Sequence, residues 1–243
     1  MTLPKKTFPS VFIILFNILA LFLLNSCKDI IFNNPLDPEA SAEAVQIINV
    51  ITTSLGGKGD ICFDGEKFWK IESYGNLNTF DIESGTIIRN YSVDSGTGVI
   101  FFDNKLYTCS GENILISLDP LSGEILNHLS TTDLYPGFLT TDFNSLIIYD
   151  QRSSSFFEYD IKSGSSNRLF QVSGLAIGGI EIYGEGILVT DMNSDSIYYF
   201  AINGTIINVF RSPASDIGGI TVDSRNYVYL FTLDGKIYKI SLP

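Results

Sequence analysis

Short apolar segments alternate with polar turns along most of the chain, and the alternation recurs at a fixed spacing. From residue 45 onward a glycine opens an apolar segment about every 40 residues, and further apolar segments follow it after short turns. The segments are too short for helices and are rich in β-branched and aromatic residues, so each one predicts a β-strand. The five glycines are Gly59, Gly98, Gly137, Gly179 and Gly219.

Each repeat predicts four antiparallel strands. Between the third and fourth strands lies a turn glycine, which supplies the positive φ that a chain reversal needs. The turn glycines are Gly85, Gly123, Gly164 and Gly204. Four antiparallel strands every 40 or so residues are typical of a β-propeller blade, so the predicted fold class is all-β.

The fifth repeat has three strands before the chain stops at Pro243. The missing strand is found near the N-terminus, because residues 47–50 have the same Ile-Ile-Asn-Val sequence as the fourth strand of repeat four, residues 206–209. We therefore predict a five-bladed β-propeller over residues 45–243, closed by an N-terminal strand that completes the last blade. An open array or a β-sandwich with chance periodicity is the alternative.

The repeats resemble NHL-type and YVTN-type propeller repeats, in which an apolar strand, a second strand ending in Asp and an aliphatic-aliphatic-Asp turn recur. This resemblance implies the blade and leaves the activity open. Two columns of apolar side chains are expected to pack blade on blade. They are Phe80, Leu118, Tyr159, Phe200 and Ile240, and Trp69, Tyr107, Ile147, Leu188 and Tyr229.

The N-terminus has the layout of an export signal. Lys5 and Lys6 precede an apolar run over residues 11–24, which is short for a membrane span of about 20 residues. The run leads into Leu-Asn-Ser-Cys ending at Cys27, which resembles the lipobox of bacterial lipoproteins. The resemblance implies a signal peptide over 1–26, a lipid on Cys27 and a tether over 27–44; an ordinary signal peptide or an uncleaved anchor is the alternative.

These features predict a lipid-anchored protein of the bacterial cell envelope, with the outer membrane favoured. Lys28 and Asp29 partly resemble the export signal of some Bacteroidetes surface lipoproteins, so the side of the membrane stays open. The membrane is the expected partner through the lipid, and an envelope protein or a glycan is the expected ligand.

The net charge further limits the classes of partner that the protein can bind. The chain has 27 acidic and 15 basic residues and a formal net charge of −12, which excludes nucleic acid because phosphate contacts need a basic surface. Removing residues 1–26 takes away two lysines, which leaves a net charge of −14. An anionic bilayer repels such a body as a whole, so membrane binding would rest on the lipid.

Candidate ligand-binding residues follow the second strands, where loops gather at one mouth of a propeller. Converging carboxylates there suit a Ca²⁺ ion or the hydroxyl groups of a sugar. The alternative is that each acid caps a turn by accepting backbone N–H bonds. The candidates are Glu72, Glu112, Asp150, Asp191, Asp195 and Asp234.

Two classes of function remain: a binding or scaffold module, which we favour, and an enzyme. Glu72-Ser73 resembles the catalytic Glu followed by Ser in the first blade of plant-type glutaminyl cyclotransferases, which are also five-bladed propellers. A sugar lactonase is a further alternative. His128 is the single histidine and falls on a predicted outermost strand, which excludes His-based triads. We expect Cys62 and Cys109 to be buried thiols, with a disulfide as the alternative.

Overall fold

The computed structural model describes residues 45–243 apart from positions 73–74, 94–95, 110–111 and 143. The signal peptide, Cys27 and the tether, predicted over 1–44, lie outside the described residues. The described chain forms five antiparallel sheets of four strands. The strands are β1 (Gln46–Thr52), β2 (Ile61–Phe63), β3 (Phe68–Glu72), β4 (Asn76–Phe80), β5 (Ile87–Ser92), β6 (Val99–Phe102), β7 (Lys105–Cys109), β8 (Ile114–Leu118), β9 (Ile125–Ser130), β10 (Pro136–Thr141), β11 (Leu146–Asp150), β12 (Ser155–Tyr159), β13 (Ser166–Gln171), β14 (Ile177–Tyr183), β15 (Gly186–Asp191), β16 (Ser196–Ala201), β17 (Ile206–Arg211), β18 (Ile217–Val222), β19 (Val228–Thr232) and β20 (Lys236–Ser241).

The five sheets form a closed ring, which confirms the predicted five-bladed β-propeller. Blades 1 to 4 are β2–β5, β6–β9, β10–β13 and β14–β17, and blade 5 consists of β18, β19, β20 and β1. The innermost strand of each blade contacts the innermost strands of both neighbours, and β18 contacts β2 to close the ring. The N-terminal strand β1 pairs with β20 and is the outermost strand of the last blade, as the repeated Ile-Ile-Asn-Val predicted.

The core lies between neighbouring blades. Both predicted columns of apolar side chains are buried, with at most 4% of any of these residues exposed. The four predicted turn glycines have positive φ values between 69° and 86°. Cys62 and Cys109 are buried free thiols in adjacent blades. Burial raises the pKa of both thiols, which keeps them protonated and unreactive.

The repeat glycines lie where innermost strands come closest. In blades 3 to 5 the strand begins before the predicted glycine, which lies at a register shift inside it. A Cβ atom on Gly179 would lie 2.7 Å from the backbone nitrogen of Ile220, and one on Gly219 would lie 2.8 Å from the nitrogen of Ile61. The absence of a side chain therefore lets neighbouring backbones approach at the end of the ring where the innermost strands begin.

No helix in the described part of the chain is long and apolar enough to cross a membrane. His128 is exposed on β9, the outermost strand of blade 2, as predicted.

Candidate functional site

A cavity of about 1220 Å³ opens at one end of the central channel. Its wall includes the turns that join the first and second strands of all five blades, so every blade contributes to it. We call this end of the ring the cavity end and the other the far end. The turn residues in the wall include Asp64, Asp103, Asn144, Gly184 and Asp223.

Glu181 lies in this wall, in the middle of β14, the innermost strand of blade 4. Its Oε1 accepts hydrogen bonds from Thr140 Oγ1 at 2.8 Å and from the backbone nitrogen of Ile182 at 3.1 Å. Its Oε2 accepts one from Thr221 Oγ1 at 3.0 Å. Thr140 and Thr221 belong to the innermost strands of blades 3 and 5, so one carboxylate connects three blades.

Glu181 is 9% exposed, and burial raises its pKa to about 7, although the three hydrogen bonds oppose the shift. Glu181 therefore titrates near neutral pH. A carboxyl group with such a pKa in a cavity is a candidate for ligand binding or proton transfer.

A second buried carboxylate, Asp60, lies towards the far end. Its Oδ1 accepts hydrogen bonds from the backbone nitrogens of Ile61 at 2.9 Å and Ile220 at 3.3 Å, and its Oδ2 has no hydrogen-bond partner among the described residues. Burial raises the pKa of Asp60, and the negative charge of Glu181 raises it further. Consecutive residues of β18, Ile220 and Thr221, thus hold the two carboxylates, so an ionised Glu181 favours a protonated Asp60.

Lys70 is a buried cation near Asp60. Its Nζ donates to the carbonyl oxygen of Ile71 at 3.1 Å and lies 4.5 Å from the ring centre of Phe231. Burial lowers its pKa to about 8, and the charges of Glu72 and Asp60 partly oppose this shift. The charge of Lys70 lowers the pKa of Asp60 and so opposes part of the effect of burial.

The cavity wall combines acidic and aromatic side chains. Five carboxylates line it against two lysines, Lys105 and Lys162, so the charge balance of the wall is negative. Aromatic rings lie beside these charges, among them Phe102 and Tyr107 with their ring centres 6.3 Å apart. The carboxylates belong to Asp64, Asp103, Asp160, Glu181 and Asp223.

The acids predicted to bind a ligand lie at the far end and do not line this cavity. Asp150 and Asp191 occupy equivalent positions at the ends of β11 and β15. Asp191 Oδ1 accepts from the backbone nitrogen of Ala176 at 2.8 Å, and its Oδ2 accepts from Ser194 Oγ at 2.6 Å. Asp150 makes the matching bonds to Tyr135 and Ser153. Both carboxylates therefore cap the turns around them.

Each of the other four candidate acids has its own surroundings and hydrogen-bond partners. Glu72 is half-buried at the end of β3, and Glu112 is exposed before β8. Asp195 Oδ1 accepts from the backbone nitrogen of Asp216 at 2.9 Å, and Asp234 pairs with Lys236 and Thr232. Over the described residues, no group of three or more His, Cys, Asp or Glu side chains could hold a metal ion. Ligand binding by these acids stays a prediction.

Glu181 could have been identified as a candidate from the sequence, although it does not recur in the repeat. Glu181 stands between Ile180 and Ile182 in a predicted innermost strand, where the equivalent residues in other blades are Cys62, Ile100, Thr140 and Thr221. Glu181 is the one acidic residue among these five equivalent positions. An acidic residue in the middle of an innermost strand therefore indicates a side chain beside the central channel.

Comparison with known proteins supports the fold. No family model and no curated protein matches the chain. A glutaminyl cyclase from Myxococcus xanthus is similar in structure, with a TM-score of 0.69, 14% identity, and coverage of 81% of this chain and 95% of the cyclase. BamB from Moraxella catarrhalis matches with a TM-score of 0.45 and 18% identity, over 82% of this chain and 62% of BamB. The likeness to the cyclase shows a shared propeller fold, and identity this low extends it no further.

Proposed function

We propose that this protein is a lipid-anchored β-propeller of the bacterial cell envelope that binds a ligand carrying an ammonium group in the cavity of its central channel. The observation that carries the proposal is Glu181, a buried carboxylate in a cavity to which all five blades contribute. An envelope glycan with amino sugars or an envelope protein with an exposed amine would present such a group.

The lipid anchor is supported by the sequence before the propeller. A charged start, an apolar run and the Leu-Asn-Ser-Cys motif at Cys27 are followed by 17 residues before the first described position. Acyl chains on Cys27 would hold the propeller at the membrane whatever its net charge, because several chains together make anchoring stable.

Replacing Cys27 with Ser should release the protein from the membrane fraction. The variant loses the acyl chains that supply nearly all of the affinity of the anchor. Fractionation and the mass of the mature N-terminus measure the effect. A Cys27→Ser variant that stays in membranes, together with a wild-type N-terminus of unmodified mass, would contradict the proposed anchor.

The wall of the cavity favours a small ligand that is positively charged. In the described residues Glu181 has hydrogen bonds from two hydroxyl groups and one backbone nitrogen but no ion pair. A buried carboxylate without a positive partner is costly, and an ammonium group at this position removes that cost. Aromatic rings nearby add a favourable surface for the substituents of the cation.

Binding of 2-phenylethylamine, with 2-phenylethanol as its uncharged counterpart, tests this ligand chemistry by calorimetry. We expect the amine to bind and the alcohol to bind weakly or not at all. Because a hydrogen bond to a charged group contributes roughly 1.5–3 kcal/mol, Glu181→Gln should weaken the amine about 10- to 100-fold. The affinity should rise as the pH passes through 7, since Glu181 is ionised above its pKa.

Glu112→Gln is the matched control, because it removes one carboxylate from an exposed position at the far end. It should leave the affinity for the amine unchanged. Equal binding of the amine and the alcohol, or equal loss of affinity in the two variants, would contradict recognition of an ammonium group by Glu181.

Glu181 also favours a second candidate function, an enzyme of glutaminyl cyclotransferase or sugar lactonase type. A carboxyl group with a pKa of about 7 is suited to donate and accept protons at neutral pH. The motif that suggested a cyclotransferase is not in the cavity: Glu72 is at the far end, and Ser73 lies outside the described residues. Conversion of a glutaminyl peptide or a sugar lactone that disappears in Glu181→Gln would favour the enzyme over the binding module.

A further inference from the structure

Exposed aliphatic side chains are concentrated on the outermost strands. In the described part of the chain, every large apolar residue that is exposed lies on β1, β5, β9 or β17 or in a turn leading into β9 or β17. Each of these four strands contains an adjacent pair near its start. The pairs are Ile47 and Ile48, Ile87 and Ile88, Ile125 and Leu126, and Ile206 and Ile207, with between 38% and 54% of each residue exposed.

Blade 3 differs from the other four blades. Its outermost strand β13 begins with Ser166, Asn167 and Arg168, all of them exposed. The aliphatic pairs are therefore not a requirement of the propeller, because one blade forms the same strand with polar residues. Single exposed apolar residues are common on soluble proteins, but here they occur as adjacent pairs at the same position of four blades, which suggests a contact surface.

The charge of the outermost strands is opposite to that of the protein. None of β1, β5, β9, β13 and β17 contains Asp or Glu, although the chain has 27 acidic residues. Three of these strands contain an exposed arginine: Arg89, Arg168 and Arg211. The expectation that an anionic bilayer repels the body as a whole treats the charge as uniform, whereas the acids are absent from the outermost strands.

Blades 4, 5, 1 and 2, which have the aliphatic pairs, are consecutive in the ring, and β1 of blade 5 lies between β17 of blade 4 and β5 of blade 1. The segment between Cys27 and the fold leads directly into β1. Its 17 residues can span roughly 55–60 Å when extended, which is ample for the side of the propeller to reach the membrane that holds the anchor.

We propose that the side of the propeller formed by β17, β1 and β5 lies on the surface of the anionic membrane that holds the lipid anchor. The isoleucine pairs would enter the interface between headgroups and acyl chains, while Arg89 and Arg211 face anionic headgroups. A bilayer fits this side because exposed aliphatic and basic residues occur together where acids are absent. The inference rests on the proposed lipid anchor.

Fluorescence quenching in the lipidated, mature protein tests this orientation. A fluorophore is attached to Ile207→Cys on β17 or, as the matched control, to Asn167→Cys on the polar strand β13; Cys62 and Cys109 are buried and should not react. The protein is reconstituted in vesicles of phosphatidylethanolamine and phosphatidylglycerol that contain a shallow nitroxide-labelled lipid. We expect loss of fluorescence at position 207 and none at position 167, because interfacial side chains lie roughly 5–10 Å into the headgroup boundary.

Equal quenching at the two positions would overturn the proposal, and so would crosslinking of two copies through Ile207→Cys, which would identify a second copy as the occupant. Quenching at position 207 that weakens in phosphatidylcholine vesicles would support the role of the arginines. A failure of the anchor itself is distinguishable, because the purified wild-type protein would then lack the mass of the acyl chains and would not associate with vesicles during reconstitution.

Discussion

Deleting β1, residues Gln46–Thr52, should leave a chain that aggregates and shows no cooperative unfolding transition. The deletion removes the ladder with β20, at roughly 1 kcal/mol for each hydrogen bond. It also removes Ile51, which is 8% exposed and packs in the core cluster with Phe80 and Ile237. A domain of this size has about 5–15 kcal/mol of stability in total, so these losses are a large part of it.

The deletion also removes a contact between the last blade and the first. Gly85, in a turn of blade 1, lies so close to β1 that a Cβ atom there would be 2.5 Å from the carbonyl oxygen of Thr52. β1 therefore connects the last blade to the first, and without it the edge of β20 is exposed to other chains. Size-exclusion chromatography and thermal unfolding followed by circular dichroism measure both effects.

Two controls separate the loss of β1 from a general effect of shortening the chain. Deleting residues 33–38 from the predicted tether should leave the melting temperature unchanged. Among point variants, Ile51→Ala should lose about 2–4 kcal/mol, whereas Ile47→Ala, at a position 52% exposed, should stay within about 0.5 kcal/mol of the wild type. Similar behaviour of the two deletions would show that β1 does not stabilise the propeller.

The number of blades and the way the ring closes could be predicted from the sequence because both depend on local patterns that repeat. A turn glycine needs a positive φ wherever it occurs, and the identical segments 47–50 and 206–209 require the same position in two blades. The start of β14 was predicted less well. Packing between neighbouring backbones decides that boundary, and it leaves no periodic signal in the sequence.

The position of the cavity could not be predicted for a related reason. Glycines such as Gly179 and Gly219 let the innermost strands approach one another near the far end, and the large opening is then left at the cavity end. This outcome depends on contacts between residues far apart in the sequence, such as Gly179 with Ile220 and Gly219 with Ile61. The repeat pattern is compatible with Asp150 and Asp191 as ligands or as turn caps. Their hydrogen bonds show that they cap turns, which the pattern alone could not decide, and ligand binding by them stays a prediction.

Glu181 should make the stability of the propeller fall as the pH rises towards neutral. Its pKa is about 7 in the folded protein and near 4.5 when unfolded, so the folded state binds the proton more tightly. The contribution is complete below pH 4.5 and is lost as the pH rises through 7. A shift of this size corresponds to about 3 kcal/mol in the free energy of unfolding. The raised pKa of Asp60 acts in the same direction.

Comparing Glu181→Gln with the wild type isolates this contribution from that of every other carboxylate. At pH 4.5 the two should differ by about 1 kcal/mol or less, since a glutamine amide can keep hydrogen bonds with Thr140 and Thr221. By pH 8 the variant should have gained about 3 kcal/mol relative to the wild type, because it has no charge to bury. Denaturant unfolding at a series of pH values measures the difference, with Glu112→Gln expected to follow the wild type throughout. A constant difference across this range would mean that folding does not raise the pKa of Glu181, and the pH dependence expected for amine binding near pH 7 would be lost with it.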